Sequence, residues 1–211
     1  MTVAIIDYGS GNLRSAAKAF ERMVRESGRS DDIVVTADAD VVRQADHVVL
    51  PGVGAFANCR RGLSAVKGME EALQEVVIEK GQPFLGICVG MQLMATVGRE
   101  HGDHAGLDWI KGEIVPLSPD DASMKVPHMG WNDLQVKPGA KLFSRFEPQP
   151  RFYFLHSYFF DCEDKANVAA TASYGLEFAC VVSKRHIHGM QCHPEKSHHF
   201  GVQLLKNFAE L

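Results

Sequence analysis

The sequence predicts an α/β fold, with a mostly parallel sheet flanked by helices on both faces and an antiparallel β elaboration in the second half. Two observations lead to this prediction. Up to about residue 105, short apolar runs alternate with helical patterns, which is typical of a parallel sheet. After that point, strand-like segments follow one another, which favours antiparallel pairing. The whole chain, residues 1–211, is predicted to form a single domain.

The first half contains four predicted strands and two predicted helices. Short apolar runs predict the strands, and apolar residues at helical spacing predict the helices. The strands are residues 3–6, 33–36, 47–50 and 83–87, and the helices are residues 13–25 and 63–80. Open α/β sheets bind ligands at the carboxyl ends of their strands, so the residues after these strands are the first candidates for a site.

The second half contains four further predicted strands and a closing helix. The strands are residues 125–136, 152–160, 177–183 and 186–192, and the helix is residues 198–211. Lys184 and Arg185 are predicted to form a hairpin turn. The sequence has no internal repeat or long linker, so the second half is predicted to pack on the same sheet.

Composition limits the classes of function. The 211 residues are 45% hydrophobic, enough for one sizeable core, and carry a formal net charge of -4. Without a dense basic cluster, no nucleic-acid partner is expected. No stretch approaches the roughly 18 apolar residues of a membrane span, and the first residues lack a basic leader, so no membrane association is expected. Five cysteines without a close pairing pattern fit reduced thiols and a cytoplasmic protein.

The most informative segment is PFLGICVGMQLM, residues 83–94, which places Cys88 between a predicted strand and a helical pattern. Gly86 and Gly90 flank Cys88 at two residues on either side, as a tight strand-to-helix turn requires. Such a turn is predicted to display the thiol, and the N–H groups of the helix's first turn favour the thiolate. A small buried cysteine at a strand end is the alternative, and this segment alone does not decide between the two.

A second segment, GMQCHPE at residues 189–195, supplies a candidate general base. Pro194 favours extended backbone at His193, so His193 and Glu195 are predicted to project to the same side. A carboxylate beside an imidazole holds it in the tautomer that takes a proton from a thiol. Cys88, His193 and Glu195 are therefore the candidate nucleophile, base and orienting residue.

Other histidines form two weaker patterns. His101 and Asp103 are a similar pair, but they lie in a Gly-rich stretch without a flanking strand, where a surface loop is favoured. A histidine-rich run near the C-terminus raises the question of zinc, although it has neither CxxC nor HExxH spacing. This run contains His186, His188, Cys192, His193, His198 and His199. Neither a metal nor a cofactor is predicted.

Two glycine-containing turns follow predicted strands. Residues 51–54, PGVG, follow the third strand and are predicted to lie beside Cys88, where a peptide N–H can turn towards an oxyanion. The N–H of Val89 is the natural second donor, and an ordinary Pro-Gly turn is the alternative for PGVG. Residues 9–12, GSGN, resemble half a phosphate loop, but a tight turn with helix capping is the preferred interpretation.

Together these motifs resemble the class I glutamine amidotransferases, through PGVG at 51–54, GICVGMQ at 86–92 and HPE at 193–195. More narrowly, four segments look like the glutaminase subunits of imidazole glycerol phosphate synthases. These are IIDYGSGNLRS at 5–15, VPHMGWN at 126–132, FYFLHSY at 152–158 and HPEKS at 193–197. The likeness covers nearly the whole chain.

The resemblance implies a flavodoxin-like glutaminase domain that hydrolyses L-glutamine to L-glutamate and ammonia through a Cys88 thioester. The ammonia would pass to a (β/α)8-barrel cyclase subunit, the other member of a heterodimer, for imidazole glycerol phosphate synthesis in histidine biosynthesis. Carried over by motif, Cys88 is the nucleophile, His193 the base and later acid, and Glu195 its partner.

The resemblance also implies roles for the surrounding residues. The oxyanion hole would be formed by Val53, Gly54 and Val89, where Val89 replaces the usual leucine without removing the backbone donor. Glutamine would be held by Gly52, Gln92, His156, Ser157 and Tyr158. The cyclase subunit would contact Met129, Trp131, Asn132, Tyr153 and Lys196.

Three other functions stay open at this point. The first is the glutaminase of another amidotransferase, such as pyridoxal phosphate synthase, against which the VPHMGWN segment argues. The second is a cysteine hydrolase of the same fold that works without a partner. The third is a non-catalytic binding module, which an intact Cys88, His193 and Glu195 disfavours.

Overall fold

The computed structural model describes residues 1–121, 123–146 and 149–211. Among these residues it has an α/β fold with a twelve-stranded sheet and a separate two-stranded sheet, which confirms the predicted fold class. The helices are α1 Leu13–Glu26, α2 Ala39–Arg43, α3 Phe56–Ala65, α4 Met69–Leu73, α5 Val89–Gln92 and α6 His198–Ala209. The strands are β1 Thr2–Ile6, β2 Asp32–Thr36, β3 His47–Gly52, β4 Phe84–Cys88, β5 Val97–Gly98, β6 His104–Ala105, β7 Gly112–Pro116, β8 His128–Asp133, β9 Gln135–Val136, β10 Arg151–His156, β11 Tyr158–Cys162, β12 Val168–Ser173, β13 Glu177–Lys184 and β14 Ile187–Met190.

The parallel part of the large sheet has the order β2-β1-β3-β4-β14. Strands β3, β4 and β14 are buried along their whole length, as expected for parallel strands covered on both faces. The helices pack in two groups, α1 with α6, and α2 and α3 with α4. None of the described helices is long and apolar enough to cross a bilayer.

The register of this part brings the two candidate motifs together. Gly52 at the end of β3 is paired with Cys88 at the end of β4. On the other side of β4, Ile87 is paired with Met190, the last residue of β14. His193 follows only three residues later, so the chain delivers the thiol and the imidazole to the same edge of the sheet.

The antiparallel elaboration continues the same sheet, as predicted, from β14 through β13, β11, β7, β5 and β6. One predicted strand, residues 152–160, is wrong as a single element. The chain leaves the small sheet after His156, passes Ser157, and enters the large sheet at Tyr158. The apolar pattern runs through this break because both halves are partly buried, although they pair with different strands.

Other element boundaries also differ from the prediction. The helix predicted at 63–80 is divided: α3 begins earlier, at Phe56, and Gly68 with φ +75° separates it from α4, which continues as a π-helical segment, Gln74–Glu79. The hairpin turn lies at Arg185 and His186, one residue later than predicted, because Lys184 still pairs with Ile187.

Two predicted strands are shorter than expected. Residues 125–136 form β8 and β9, which belong to different sheets. Residues 186–192 form β14, which is antiparallel to β13 but parallel to β4. Four strands and one helix were missed because they are short or small-residue-rich, namely β5, β6, β7, β12 and α2. The closing helix α6 is confirmed and ends at Ala209.

Candidate active site

Cys88 occupies a strained turn between β4 and α5. Its backbone has φ 55° and ψ -115°, a conformation that residues with side chains rarely adopt. A Cβ added at Gly90 would lie 1.7 Å from the carbonyl oxygen of Leu50, and one at Gly86 would lie 2.6 Å from the oxygen of Gly90. The two flanking glycines therefore let α5 pack directly against the sheet and hold Cys88 in this turn.

The thiol is less exposed than the sequence suggested. Cys88 is only 6% exposed, and it lies in a pocket of about 260 Å³. Helix α5 has a single turn, so the dipole that it directs at Cys88 is small. Nine of the predicted site residues line this pocket: Val53, Gly54, Cys88, Val89, Gln92, His156, Ser157, Tyr158 and His193.

His193 and Glu195 meet beside the pocket. Nδ1 of His193 lies 2.8 Å from Oε1 of Glu195, and the two side chains are 4% and 3% exposed. His193 has the extended backbone that was predicted, with φ -106° and ψ 98°, and a 3-10 turn, Pro194–Lys196, follows it. Glu195 lies behind the imidazole and does not line the pocket. It thus occupies Nδ1 and leaves Nε2 available on the pocket side.

The electrostatics of His193 favour the imidazolium. Burial lowers its pKa, but the neighbouring Cys88 and Glu195 outweigh burial and raise the pKa to about 10. Nε2 of His193 has no hydrogen-bond partner in the described part of the chain. The hydrogen bond that Sγ of Cys88 receives comes from Nε2 of Gln191, at 3.6 Å. The sulfur and the imidazole are therefore electrostatically coupled without a direct hydrogen bond.

Val53 and Gly54 form one wall of the pocket. The N–H of Val53 donates to Oγ of Ser10 at 3.3 Å, and this hydroxyl lies 2.7 Å from the carbonyl oxygen of Val53. The N–H of Val53 is therefore occupied by Ser10 in this conformation. Gly52 does not line the cavity: an added Cβ there would be 2.6 Å from the Tyr8 hydroxyl and 2.8 Å from the backbone N of Gly90, so Gly52 is packed against Tyr8 and the start of α5.

The opposite wall is formed by the predicted substrate residues. Nε2 of Gln92 donates to Oε1 of Gln191 at 3.0 Å and lies 3.4 Å from the carbonyl oxygen of Tyr158. Nδ1 of His156 donates to the same carbonyl at 2.9 Å. Burial lowers the pKa of His156 to about 4, so its ring is neutral at pH 7. Its Nε2 therefore accepts from Nδ1 of His128, 3.0 Å away.

Sequence reasoning missed several residues of the site. Glu100 lines the pocket as the single carboxylate among the described lining residues, and its Oε2 accepts from the N–H of Phe56 at 2.7 Å. Nothing in the sequence around Glu100 marks this position. Gln191 did carry a signal, since it precedes His193 by two residues in the quoted GMQCHPE segment. Pro127 and Leu155 also line the pocket.

An apolar surface lies next to the pocket on the two-stranded sheet. We call it the apolar face, formed by Met129, Trp131, Tyr153 and Leu155, which are paired across β8 and β10. Met129 is 66% exposed, Trp131 41% and Leu155 37%, and Leu155 also lines the pocket. Isolated exposed apolar residues are common, whereas a cluster beside a pocket indicates a binding surface.

The other two predicted contact residues differ in their placement. Lys196 is exposed, and its Nζ lies 5.4 Å from the centre of the Tyr153 ring, at the edge of the apolar face. Asn132 is directed the other way, because its Nδ2 lies 2.8 Å from the carbonyl oxygen of Ser173 and 3.4 Å from Nε2 of His128. Successive side chains of β8 point to opposite faces of the strand, so Asn132 does not lie on the surface predicted for it.

The weaker sequence patterns do not form sites. His101 lies in a turn and is exposed, and Asp103 pairs with Arg99. Within residues 1–121, 123–146 and 149–211, no group of three or more His, Cys, Asp or Glu side chains is arranged to hold a metal ion. All five cysteines are free and buried.

Comparison with known proteins decides the family. The sequence profile of the family "Glutamine amidotransferase class-I" matches residues 4–211. This chain belongs to the class I glutamine amidotransferases. Among curated relatives of this amidotransferase, "Imidazole glycerol phosphate synthase subunit HisH" of Rhodospirillum rubrum is 52% identical over 209 residues, which cover 99% of this chain and 98% of the relative. The protein of the same name from Rhodopseudomonas palustris is 51% identical, with the same coverage of both chains.

Solved structures support the fold of this amidotransferase. A structure described as glutamine amidotransferase has a TM-score of 0.72 at 16% identity and covers 99% of this chain and 97% of its own. A glutamine amidotransferase from Thermotoga maritima has a TM-score of 0.65 at 19% identity, with 100% and 83% of the two chains covered. At these identities the likeness concerns the fold alone.

Proposed function

We propose that this chain is the glutaminase subunit of an imidazole glycerol phosphate synthase, and that Cys88 is its nucleophile. The observation that carries the proposal is that Cys88 and His193 line one pocket, while Glu195 holds Nδ1 of His193 at 2.8 Å. This is the arrangement of nucleophile, base and orienting group that covalent catalysis requires. The relatives that are about half identical over their full length carry the same subunit name.

The reaction follows from the chemistry of these groups. The Cys88 thiolate attacks the side-chain carboxamide carbon of glutamine, and the carbonyl oxygen takes up the negative charge. The imidazolium of His193 gives its proton to the departing nitrogen, which leaves as ammonia. A glutamyl thioester remains on Cys88. His193, now neutral, takes a proton from water as the water oxygen attacks the thioester carbon; the C–S bond then breaks, which releases glutamate and restores the Cys88 thiolate beside the imidazolium.

The oxyanion is assigned to backbone donors. Val53, Gly54 and Val89 line the pocket, and the donors that we assign are the N–H of Val89 and a peptide N–H of the Val53–Gly54 segment. Because the N–H of Val53 donates to Ser10, a rotation of this peptide is needed before it can face the oxyanion. Preorganised donors of this kind contribute on the order of 100-fold to 1,000-fold in rate. We therefore expect slow turnover in the isolated chain.

The pocket offers complementary groups for the whole glutamine molecule. The Glu100 carboxylate suits the α-ammonium group of glutamine, since it is the single acidic side chain among the described lining residues. Gln92 and the segment of His156, Ser157 and Tyr158 form the wall beside it. Gly52 packs closely on Gly90 and supports the other wall, formed by Val53 and Gly54.

The partner is assigned to the apolar face. A cyclase subunit with a (β/α)8 barrel that covers Met129, Trp131 and Leu155 would also close the pocket, because Leu155 belongs to both surfaces. Ammonia released into neutral water becomes ammonium, which is not a nucleophile, so a closed route to the cyclase is required. In this heterodimer the ammonia serves imidazole glycerol phosphate synthesis, a step of histidine biosynthesis. The five free thiols suit a cytoplasmic enzyme.

The test is glutamine hydrolysis by wild type and Cys88→Ala, each with and without the cyclase subunit and its nucleotide substrate. We expect Cys88→Ala to lose hydrolysis and thioester formation while it still binds the cyclase. Cys162→Ala is the matched control, because Cys162 is also buried but does not line the pocket. Glutaminase activity that survives in Cys88→Ala would disprove the nucleophile. Hydrolysis that is unaffected by the cyclase would instead favour a partner-independent cysteine hydrolase.

A further inference from the structure

Gln191 is a buried polar side chain whose amide has partners at both ends. It follows directly after β14, is 0% exposed, and its backbone N–H donates to the carbonyl oxygen of Cys180 at 2.8 Å. Oε1 accepts from Nε2 of Gln92 at 3.0 Å, and Nε2 donates to Sγ of Cys88 at 3.6 Å. The backbone is thus fixed by the sheet, and the side chain bridges Gln92 and the candidate nucleophile.

The orientation of this amide follows from its neighbours. The carbonyl oxygen of Tyr158 can only accept, so the atom of Gln92 that lies 3.4 Å from it is the NH2 group. That NH2 group also faces Gln191, so the atom of Gln191 that meets it has to be the acceptor Oε1. The other end of the amide, the NH2 group, is therefore directed at the sulfur of Cys88.

An N–H donor in this position acts on the ionisation state of the sulfur. A hydrogen bond to the charged form of a group favours that form, and it counts for more where water is excluded. Nε2 of His193 makes no hydrogen bond in the described part of the chain, so the sulfur receives its hydrogen bond from the amide and not from the imidazole.

We propose that Gln191 is a further catalytic residue, whose amide N–H stabilises the Cys88 thiolate and positions it for attack. This inference rests on the proposed function of Cys88 as the nucleophile. Gln92, oriented by the carbonyl group of Tyr158, is a positioning residue that turns the NH2 group of Gln191 towards the sulfur. The imidazole of His193 then stays free to protonate the leaving ammonia.

The effect of Gln191 on the sulfur must be distinguished from the effects of the ionisable groups nearby. Tyr8, Cys59 and Cys192 lie close enough to interact with Cys88, and burial raises the pKa of each of them, so they stay neutral at pH 7. His193 differs from these groups, because Cys88 and Glu195 raise its pKa against the effect of burial and its ring carries a charge at pH 7. The test therefore includes a His193→Asn background, in which the contribution of Gln191 is measured without the imidazole.

The test is the rate of alkylation of Cys88 by iodoacetamide in the isolated full chain between pH 5 and 10, followed by mass spectrometry of the Cys88 peptide. Gln191→Glu keeps an acceptor for Gln92 and places an oxygen against the sulfur, whereas Gln191→Met removes both hydrogen bonds at similar length. The exposed Gln135→Glu is the matched control. Circular dichroism and thermal melting report the fold of each variant.

We expect alkylation at pH 7 to fall about tenfold in Gln191→Met and further in Gln191→Glu, while the plateau rate at high pH stays unchanged. Profiles that overlay the wild type would overturn the proposal. A lower plateau without displacement along the pH axis would also overturn it, since it indicates lost access and not lost thiolate stabilisation.

If both Gln191 variants fail to fold, Gln92→Met serves instead, because it frees the Gln191 amide to rotate; it too must displace the profile to higher pH. The experiment uses neither glutamine nor the cyclase. Its failure is therefore distinct from failure of the Cys88→Ala test, which concerns glutamine hydrolysis.

Discussion

Replacing Glu195 by glutamine removes the charge that holds His193 while nearly preserving shape. The carboxylate oxygen lies 2.8 Å from Nδ1, and both side chains are almost fully buried. At an effective dielectric constant of about 20, this charge pair is worth roughly 6 kcal/mol, or about four pKa units. The pKa of His193 is about 10 in the wild type, because Cys88 and Glu195 outweigh the effect of burial. We expect Glu195→Gln to bring it near or below neutrality.

The consequence for catalysis is loss of the proton donor. In Glu195→Gln the imidazole is largely neutral at pH 7, and its tautomer is no longer fixed by a carboxylate. We expect kcat to fall about 100-fold to 10,000-fold, the usual contribution of general acid–base catalysis. Histidine ring titration by NMR in the isolated chain measures the pKa, and glutamine hydrolysis by the complex measures kcat.

The same change alters the dependence of stability on pH. A folded-state pKa above the unfolded value of 6.5 stabilises the fold fully below pH 6.5, and this contribution is lost as the pH rises towards 10. In Glu195→Gln most of this dependence should disappear. Glu210→Gln is the control, since Glu210 pairs with Arg145 at the surface. A His193 titration unchanged in Glu195→Gln would refute the reasoning.

Three further outcomes are expected. Trp131→Ala, on the apolar face, should weaken cyclase binding by about 2 kcal/mol or more in calorimetry, and an unchanged Kd would remove Trp131 from the interface. Glu100→Gln should raise KM for glutamine about tenfold with little change in kcat. The variant loses the charge that binds the α-ammonium group but keeps an acceptor for the N–H of Phe56. An unchanged KM would show that the ammonium group binds elsewhere. Burial lowers the pKa of His128 and His156 to about 4, so the unfolded chain takes up protons first as the pH falls. Denaturant unfolding should therefore show stability falling from pH 6.5 to 4 by about 1.4 kcal/mol per unit for each histidine, and a flat curve would contradict this.

The parallel half of the fold could be predicted because its signals are local. Each strand there is a short apolar run, and the sharp turn at Cys88 is marked by glycines two residues away on either side. One prediction was wrong because its outcome depended on distant pairing. The division of residues 152–160 at Ser157 is decided by β8, β7 and β13, which lie elsewhere in the chain.

The candidate site was predictable in its motifs and not in its supporting contacts. Cys88 and His193 stand in segments whose composition is informative by itself. Glu100 lines the pocket because its loop packs against the start of α3. No residue type or spacing in the sequence predicts that contact. The state of the Val53 peptide depends on one hydroxyl, that of Ser10, which sequence reasoning assigned to a simple turn.

The tight packing at the Cys88 turn has a consequence for interpreting other sequences. Gly90 is required because the Leu50 carbonyl oxygen would lie 1.7 Å from any Cβ placed there, and this holds whatever residue stands at position 88. A descendant that had lost its chemistry would keep both glycines as long as it kept its sheet. The two glycines therefore indicate the fold and not the activity. A search for active enzymes of this type should instead require the residues that correspond to Cys88, His193 and Glu195.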